Sequence, residues 1–312
     1  MNKRMLLPGT DLNVCPIAFG TVRAGVAWSG LEADRYMDTY LDMGGNVIDT
    51  ARIYIPPEPG CGERIIGEWL QRSGKRHEII LMTKGGHPPL TDMHFSRLSQ
   101  EDMVYDLEES LRALKTDCID VYFYHRDDES RPVGELVERM EEFVRQGKIR
   151  YYACSNWSTR RMQEADAYAR EHGLRGFIGN QAMYNIGTKH MLPPADDTLA
   201  VADEDMLRYH KSAANILMPY SSLCNGFFHL MEKDPEKAKT KKYYTPGNLQ
   251  VYETLQKIRE KHGCTMSQAI LGYLLTLPMP VLALAGAGKL EQLTDVMGTL
   301  DIPFTPDDYQ EV

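Results

Sequence analysis

The stretch SQEDMVYDLEESLRALKTDCIDVYFYH, residues 99–125, decides the fold that the sequence predicts. Its first part predicts an amphipathic helix over 99–115, because apolar residues recur at helical spacing. These residues are Met103, Leu107, Leu111 and Leu114. Ser99 stands three residues before Asp102, which is the spacing of a serine that caps a helix N-terminus. The second part, 119–125, is almost continuously apolar, which is typical of a strand buried on both faces.

The same alternation of strand and helix runs along the whole chain. Short apolar runs predict eight strands, at 16–21, 46–50, 78–84, 119–125, 149–155, 176–181, 215–221 and 280–286. Amphipathic runs predict helices at 33–43, 61–73, 99–115, 133–147, 159–172, 202–211, 249–262, 265–276 and 289–299. When strands alternate with helices, each helix crosses over between neighbouring strands and the strands run parallel. Eight such strand–helix units predict an α/β fold of the (β/α)8 TIM-barrel type. An open doubly wound sheet is the alternative with the same local pattern.

The connections complete the predicted architecture. Residues 4–16, with Pro8 and Gly9 as the turn, predict an N-terminal β-hairpin that caps the barrel floor. The segments 85–99, 185–202 and 222–247 are polar and irregular, which predicts long loops of the kind that form lids or binding surfaces. Since no linker divides the chain, we expect a single domain over 1–312.

Composition excludes several classes of protein. Of 312 residues, 43% are hydrophobic and 25% are charged, as in ordinary globular proteins. The formal net charge of −9 argues against a nucleic-acid partner or an anionic membrane surface. No uncharged apolar stretch approaches 18 residues, so no membrane span is expected, and scattered cysteines predict free thiols in the cytoplasm. The histidines are dispersed without metal-ligand spacing, and we therefore expect no metal site.

Four polar residues stand at the carboxyl ends of predicted strands. Asp49 ends the second strand and Tyr54 follows in its loop, while Lys84 ends the third strand and His125 ends the fourth. The carboxyl ends of barrel strands meet at one mouth, where barrel enzymes react. We therefore expect these four side chains to lie close together.

Their chemistry is complementary. A tyrosine has an ordinary pKa near 10, and a neighbouring lysine ammonium lowers that pKa. Asp49 would hold Lys84, and His125 would hydrogen-bond the same substrate oxygen as Tyr54, which makes a proton donor aimed at a carbonyl. Because these groups supply no electrons, a redox reaction needs a cofactor. Taken singly, Asp49 could be a helix cap, Lys84 its structural ion pair and His125 a core histidine.

Several motifs occur in a specific order along the chain. They are Asp49-Thr50-Ala51-x-x-Tyr54, Glu63-x-x-x-Gly67, Thr83-Lys84, Val121-Tyr122-x-x-His125, Gly147-Lys148-Ile149-Arg150 with Ser155-Asn156, and Asn180-Gln181-x-x-Tyr184-Asn185. With this order and spacing the chain resembles the aldo-keto reductase superfamily over nearly its whole length. The segments 125–128 (HRDD) and 155–158 (SNWS) resemble those of its bacterial sugar and aldehyde reductases.

The resemblance implies an NAD(P)H-dependent carbonyl reductase on a (β/α)8 barrel. It implies a catalytic tetrad of Asp49, Tyr54, Lys84 and His125, with Tyr54 as the general acid that protonates the oxygen of an aldehyde, a ketone or an open-chain sugar. It also implies a set of cofactor-binding residues. The nicotinamide and its ribose would contact Gly20, Thr21, Ser155, Asn156, Gln181 and the ring of Tyr220. The pyrophosphate would contact Ser221, Leu223 and Gly226, and the adenosine would lie near Gly286, Lys289 and Gln292.

The adenosine end departs from the family pattern. Gln292 stands where many members carry an arginine for the 2′-phosphate, and Val296 replaces an asparagine. Lys289, near a predicted helix N-terminus, would still meet a phosphate. NADP(H) is therefore the favoured cofactor and NAD(H) the alternative. Candidates for the wall of the substrate pocket are Trp28, His87, Trp157 and Met183, with plain packing as the other interpretation of each.

Two other functions fit the same residues. Some relatives bind the cofactor yet serve as partners of other proteins, so the first alternative is a sensor or interaction subunit without significant turnover. The second is a barrel hydrolase or isomerase that uses Asp49 and His125, which predicts that no nicotinamide cofactor binds.

Overall fold

A computed structural model describes residues 4–54 and 58–312 of the chain. The chain opens with an antiparallel hairpin of β1 (Met5–Leu6) and β2 (Asn13–Val14). The strands that follow are β3 (Ile17–Gly20), β4 (Val47–Asp49), β5 (Ile80–Gly85), β6 (Ile119–Tyr124), β7 (Ile149–Ser155), β8 (Gly179–Gln181), β9 (Ile216–Leu217) and β10 (Ala283–Gly286). Each lies within or within one residue of a strand that the sequence predicts.

Strands β3 to β10 form one parallel sheet in the order β10–β3–β4–β5–β6–β7–β8–β9. The sheet closes on itself, because the Leu282 N–H donates to the Leu217 carbonyl at 3.2 Å and the Leu284 N–H to the Pro219 carbonyl at 2.8 Å. The predicted (β/α)8 barrel is confirmed, and the open doubly wound sheet is excluded.

Each strand of this sheet is followed in the chain by one or more helices. They are α1 (Gly30–Asp42), α2 (Cys61–Ser73), α3 (Gln100–Leu114), α4 (Val133–Arg145), α5 (Thr159–Glu171), α6 (Glu204–Ser212), α7 (Phe227–Lys233), α8 (Pro235–Ala238), α9 (Pro246–His262), α10 (Met266–Leu275) and α11 (Leu290–Gly298). The predicted cap of α3 is present, since Ser99 Oγ accepts a hydrogen bond of 3.0 Å from the Asp102 N–H. Within the described ranges, no helix has the length and apolar character needed to cross a membrane.

The prediction that 222–247 is irregular was wrong. Helices α7 and α8 both lie in this segment. Phe227 and Phe228 are buried at the start of α7, and Leu230 and Met231 pack against the same cluster. Phe227, Leu230 and Met231 follow the i, i+3, i+4 spacing of a helix, but α7 has only 7 residues, which is too short for this pattern to distinguish a helix from a loop.

The hairpin closes one end of the barrel. Leu7, Leu12 and Val14 are fully or almost fully buried, and they pack in the same cluster as the inward-facing Val47 and Val121. The predicted hairpin cap is therefore present at the floor. The opposite end, where the strands finish, carries the site.

Candidate active site

The four predicted catalytic residues meet at the carboxyl ends of the strands. Asp49 is the last residue of β4, Lys84 lies in β5, and His125 directly follows β6. Tyr54 reaches in from the loop after β4, and its hydroxyl lies 3.4 Å from Lys84 Nζ. All four line one cavity of about 1440 Å³.

Lys84 is the centre of this group. Its ammonium lies 2.8 Å from each carboxylate oxygen of Asp49 and donates to the Thr50 carbonyl at 2.8 Å. The Lys84 and Asp49 side chains are each only 1% exposed. Burial by itself lowers the pKa of Lys84, but the Asp49 carboxylate and the Tyr54 hydroxyl outweigh it, so the pKa is raised and the ammonium persists. Gln181 donates a further hydrogen bond of 2.8 Å to Asp49 Oδ1.

The Tyr54 hydroxyl keeps its proton. Burial raises the pKa of Tyr54, although the Lys84 ammonium opposes the rise. The Lys84 ammonium acts to lower the pKa of Tyr54, as the sequence predicts, but burial outweighs it and the net shift is upward. The physical reason is that desolvation of the phenolate exceeds its attraction to an ammonium that Asp49 already neutralises in part.

His125 is held as a neutral imidazole. Burial lowers the pKa of His125 well below its ordinary value, with His87 and Lys84 as further causes. The His87 ring packs edge-on against it, with ring centres 4.6 Å apart. His87 Nδ1 lies 2.6 Å from the Pro88 carbonyl, and burial lowers the pKa of His87 to about 4. Both rings are therefore uncharged at neutral pH.

The candidate nicotinamide residues divide into two groups. Gly20, Ser155, Gln181 and Tyr220 line the cavity, whereas Thr21 and Asn156 are not among the described lining residues. The N–H and the hydroxyl of Thr21 both donate to the Asp49 carbonyl, each at 2.9 Å.

Asn156 lies behind Tyr220 in this structure. Its Oδ1 accepts hydrogen bonds from the Tyr220 hydroxyl at 2.7 Å and from the Ala200 N–H at 3.1 Å. The Asn156 side chain therefore orients the aromatic ring that faces the cavity.

The loop after β9 has unusual backbone geometry where it lines the cavity. The residues with positive φ are Ser221 (+55°), Cys224 (+53°), Asn225 (+51°) and Gly226 (+76°). The N–H groups of Ser222, Leu223 and Asn225 donate no hydrogen bond to another described residue. Strained backbone with spare donors is characteristic of sites that bind anions. The predicted Ser221, Leu223 and Gly226 all belong to this loop.

The far end of the cavity is formed by the start of α11. Gly286, Lys289 and Gln292 line it, as predicted for the adenosine end. Gln292 Oε1 accepts hydrogen bonds from the N–H groups of Gly288 at 2.9 Å and Lys289 at 3.1 Å, so Gln292 caps the helix. The Lys289 side chain is exposed beside it.

Sequence reasoning missed several of the charged residues that line the cavity. The cations that it missed are Arg23, Arg126 and Lys233. Arg126 was open to detection because it directly follows His125. Of the candidates for the pocket wall, Trp28, Trp157 and Met183 are buried and absent from the described lining, while His87 packs on His125.

The closed barrel and the Asp-Tyr-Lys-His group at its mouth define one class of protein. The chain belongs to the aldo/keto reductase family, whose sequence model matches residues 16–312.

Its similarity to individual members is distributed over the full chain. It is 27% identical over 328 residues to the aryl-alcohol dehydrogenase GME11368 of Pestalotiopsis microspora, with 99% of this chain and 80% of that protein covered. It is 29% identical over 312 residues to the aldo-keto reductase YhdN of Bacillus subtilis (strain 168), with coverages of 93% and 87%. Among solved structures, an aldo-keto reductase of Klebsiella pneumoniae in complex with NADPH matches with a TM-score of 0.71 and 23% identity, over 99% of this chain and 93% of that chain.

Proposed function

We propose that this chain reduces the carbonyl group of an aldehyde, a ketone or an open-chain sugar to the alcohol, with NADP(H) as reductant and Tyr54 as the general acid. The observation that carries the proposal is the Tyr54 hydroxyl, 3.4 Å from a buried ammonium at the barrel mouth. In the reaction the carbonyl carbon gains a hydride and the oxygen gains the Tyr54 proton. The nicotinamide, when bound, supplies that hydride.

Tyr54 acts at the oxygen. Because burial raises the pKa of Tyr54, the phenol is protonated before the reaction and available as a donor. Once the proton has left, the phenolate lies beside the Lys84 ammonium, which stabilises it. Positioned acids of this kind contribute about 10²- to 10⁴-fold to a rate.

His125 orients the same oxygen. Its ring centre lies 6.0 Å from that of Tyr54, and both residues line the cavity. Its imidazole is neutral, since burial lowers the pKa of His125. A neutral imidazole donates a hydrogen bond to a carbonyl oxygen without adding a charge that repels Lys84. In a dry site such a hydrogen bond strengthens as negative charge develops on the oxygen.

The cavity fits a dinucleotide along its length. It runs from Tyr54 at the barrel mouth to Gln292 at the start of α11. Between them, Tyr220 offers a ring face for the nicotinamide, and the loop at 221–226 offers unpartnered N–H groups for a pyrophosphate. Ser155 and Gln181 would hold the carboxamide.

The choice of NADP(H) over NAD(H) depends on the far end. Gln292 is engaged as a helix cap, so it does not replace the arginine of other members. Lys289 and Arg23 line the cavity there and supply positive charge for a 2′-phosphate, while the carboxylates of Glu291 and Asp295 line it too and oppose them. The two cations favour NADP(H), and NAD(H) is the alternative that the first experiment tests.

That experiment is a fluorescence titration of the purified protein with NADPH and NADH in parallel. Tighter binding of NADPH supports the proposal as stated. Tighter binding of NADH retains the chemistry and changes the cofactor. If neither binds, the tetrad has no electron source and the reductase proposal fails in favour of a hydrolase or isomerase.

The acid is tested with Tyr54→Phe. This variant should bind NADPH as the wild type does but lose at least 100-fold in kcat. The control is Tyr105→Phe, an exposed tyrosine, which should keep full activity. Turnover near wild type in Tyr54→Phe would contradict the role of the acid.

The assay panel should include aromatic aldehydes. Two similar proteins are named aryl-alcohol dehydrogenases, from Pestalotiopsis microspora and from Phanerodontia chrysosporium. Cofactor binding without turnover on any aldehyde, ketone or sugar, or on alcohols in reverse, would favour the sensor or interaction subunit instead.

A further inference from the structure

A buried cation lies beside the proposed catalytic group without a role in it. Arg126 directly follows His125 at the end of β6, and its side chain is only 9% exposed. It nevertheless lines the same cavity as Tyr54 and His125. A guanidinium is expensive to bury unless its charge and its N–H groups are used.

The protein uses only part of the hydrogen-bonding capacity of Arg126. Nη1 donates to the His125 carbonyl at 2.9 Å and Nε to Thr198 Oγ1 at 3.1 Å. Nη2 reaches Asp196 Oδ2 at 3.4 Å. A guanidinium has five N–H groups, so these contacts leave two of them without a partner among the described residues.

Asp196 compensates the charge only loosely. Charge-assisted N–O contacts are ordinarily about 2.7–2.9 Å long, shorter than the one from Arg126. Asp196 is also engaged in its own turn, where Oδ1 accepts hydrogen bonds from the Thr198 N–H at 3.0 Å and the Thr198 hydroxyl at 2.6 Å. Its carboxylate is therefore shared between the turn and the guanidinium.

The positive charge of Arg126 reaches the reacting end of the cavity. Burial raises the pKa of Tyr220, and Arg126 is the largest influence that opposes the rise. Arg126 also opposes the rise in the pKa of Tyr54. The neighbouring Lys84 and Asp49 neutralise each other in a close pair. Arg126 lines this end of the cavity and its partner Asp196 is not among the described lining residues, so the positive charge and the spare donors of Arg126 are what the cavity presents there.

We propose that Arg126 binds a carboxylate on the substrate, so that the preferred substrates are oxo acids and carboxylated aldehydes rather than neutral carbonyl compounds. This inference rests on the proposed reductase function and adds a substrate class to it. The planar fork of a guanidinium matches a carboxylate, which accepts two parallel hydrogen bonds. The two unpartnered N–H groups are the donors for this contact.

A purely structural role for Arg126 makes a different prediction. Arg126 also fixes the loop at 196–198 through Thr198 and Asp196. If positioning of this loop were its whole contribution, any loss of activity would be the same for charged and neutral substrates. Thr198→Val, which removes a contact to Arg126 but not the cation, is the matched control.

The test compares each acid with its own methyl ester. Two pairs sample two spacings between carbonyl and carboxylate: 4-carboxybenzaldehyde with methyl 4-formylbenzoate, and succinic semialdehyde with its methyl ester. We expect the wild type to prefer the acid in at least one pair. Arg126→Gln should lose tenfold or more in kcat/KM for that acid, mainly through KM, and less than threefold for its ester.

The companion variants sharpen this result. Arg126→Lys should recover part of the preference for the acid, because the charge remains but the fork does not. Thr198→Val should keep the ratio of acid to ester. NADPH affinity, from fluorescence titration, should be unchanged in all three variants.

Other results would overturn the inference. Equal losses for acid and ester in Arg126→Gln would make it a positioning residue, and a selective loss of NADPH affinity would assign the cation to the cofactor. Calorimetric titration of the wild type with NADP⁺ and the same acids and esters tests the site without turnover. Suppose that the wild type binds the acid preferentially, that Arg126→Gln loses this preference, and that no turnover is detected. This result would refute the reductase function but not the carboxylate site. Equal binding of acid and ester would refute the carboxylate site alone.

Discussion

Lys84 provides the sharpest test of the proposed chemistry. Lys84→Met removes the ammonium but keeps a side chain of similar length in a fully buried place. The ammonium lies 3.4 Å from the Tyr54 hydroxyl, so its loss removes the cation that would stabilise the phenolate. We expect slower reduction with unchanged geometry of the cofactor site.

The magnitude follows from that distance. At an effective dielectric constant of about 20, two unit charges separated by 3.4 Å attract by about 5 kcal/mol. Asp49, 2.8 Å from the same ammonium, offsets part of this attraction. A remaining stabilisation of about 2–4 kcal/mol corresponds to a loss of about 30- to 900-fold in kcat.

Stability changes independently of the rate. Breaking a buried ion pair costs about 3–5 kcal/mol, because the remaining charge has no partner. In Lys84→Met the remaining group is Asp49. Burial raises the pKa of Asp49, and in this variant the Lys84 ammonium is no longer there to oppose that rise. A carboxyl group whose pKa is higher in the folded than in the unfolded state stabilises the fold while it is protonated. This stability is complete below the unfolded-state pKa and is lost as the pH rises through the folded-state pKa. The destabilisation should therefore be smaller at pH 5 than at pH 8.

The double variant Asp49→Asn with Lys84→Met separates the two effects. It contains no charge at positions 49 and 84, so its free energy of unfolding in urea at pH 8 should exceed that of Lys84→Met. Its kcat should stay as low as that of Lys84→Met. A kcat within fivefold of wild type in Lys84→Met, or recovery of kcat in the double variant, would refute the reasoning.

Two further predictions concern His87 and Lys289. Burial lowers the pKa of His87 from its ordinary 6.5 to about 4. The stability that neutral His87 contributes is therefore complete above pH 6.5, and it is lost as the pH falls towards 4. In urea unfolding, His87→Asn should reduce the fall in the free energy of unfolding between pH 6.5 and pH 4, whereas the exposed control His172→Asn should not. Equal pH dependence in the two variants would contradict this role of His87. Lys289→Ala should weaken NADPH binding about tenfold and NADH binding less than twofold, as expected for one lost ionic hydrogen bond to phosphate. The control Lys241→Ala should change neither affinity in fluorescence titration, and an equal loss for both cofactors in Lys289→Ala would exclude the 2′-phosphate contact.

The segment at 222–247 shows where local patterns stop being informative. Helix α7 exists because Phe227 and Phe228 pack into a cluster with Tyr243 and Leu255. Tyr243 lies between α8 and α9, and Leu255 lies in α9, so the packing that stabilises this short helix is not visible in the 7 residues of α7. The same limit applies to Asn156, whose contact with Tyr220 depends on how two loops meet.

The sequence by itself determined the alternation of eight strands with helices and the placement of Asp49, Tyr54, Lys84 and His125 at or just after the carboxyl ends of strands. The closure of the sheet into a barrel, through the Leu282 N–H and the Leu217 carbonyl, was decided by the tertiary structure. Strand and helix periods are local, and the carboxyl ends of parallel strands must share one mouth. Only the tertiary structure decided the electrostatics of that mouth. Whether Tyr54 keeps its proton depends on the sum of burial and the Lys84 charge, and whether Arg126 has spare donors depends on the loop that carries Asp196. The protonation of Tyr54 and the spare donors of Arg126 both depend on contacts between segments that are far apart in the chain, and no local sequence pattern encodes such contacts.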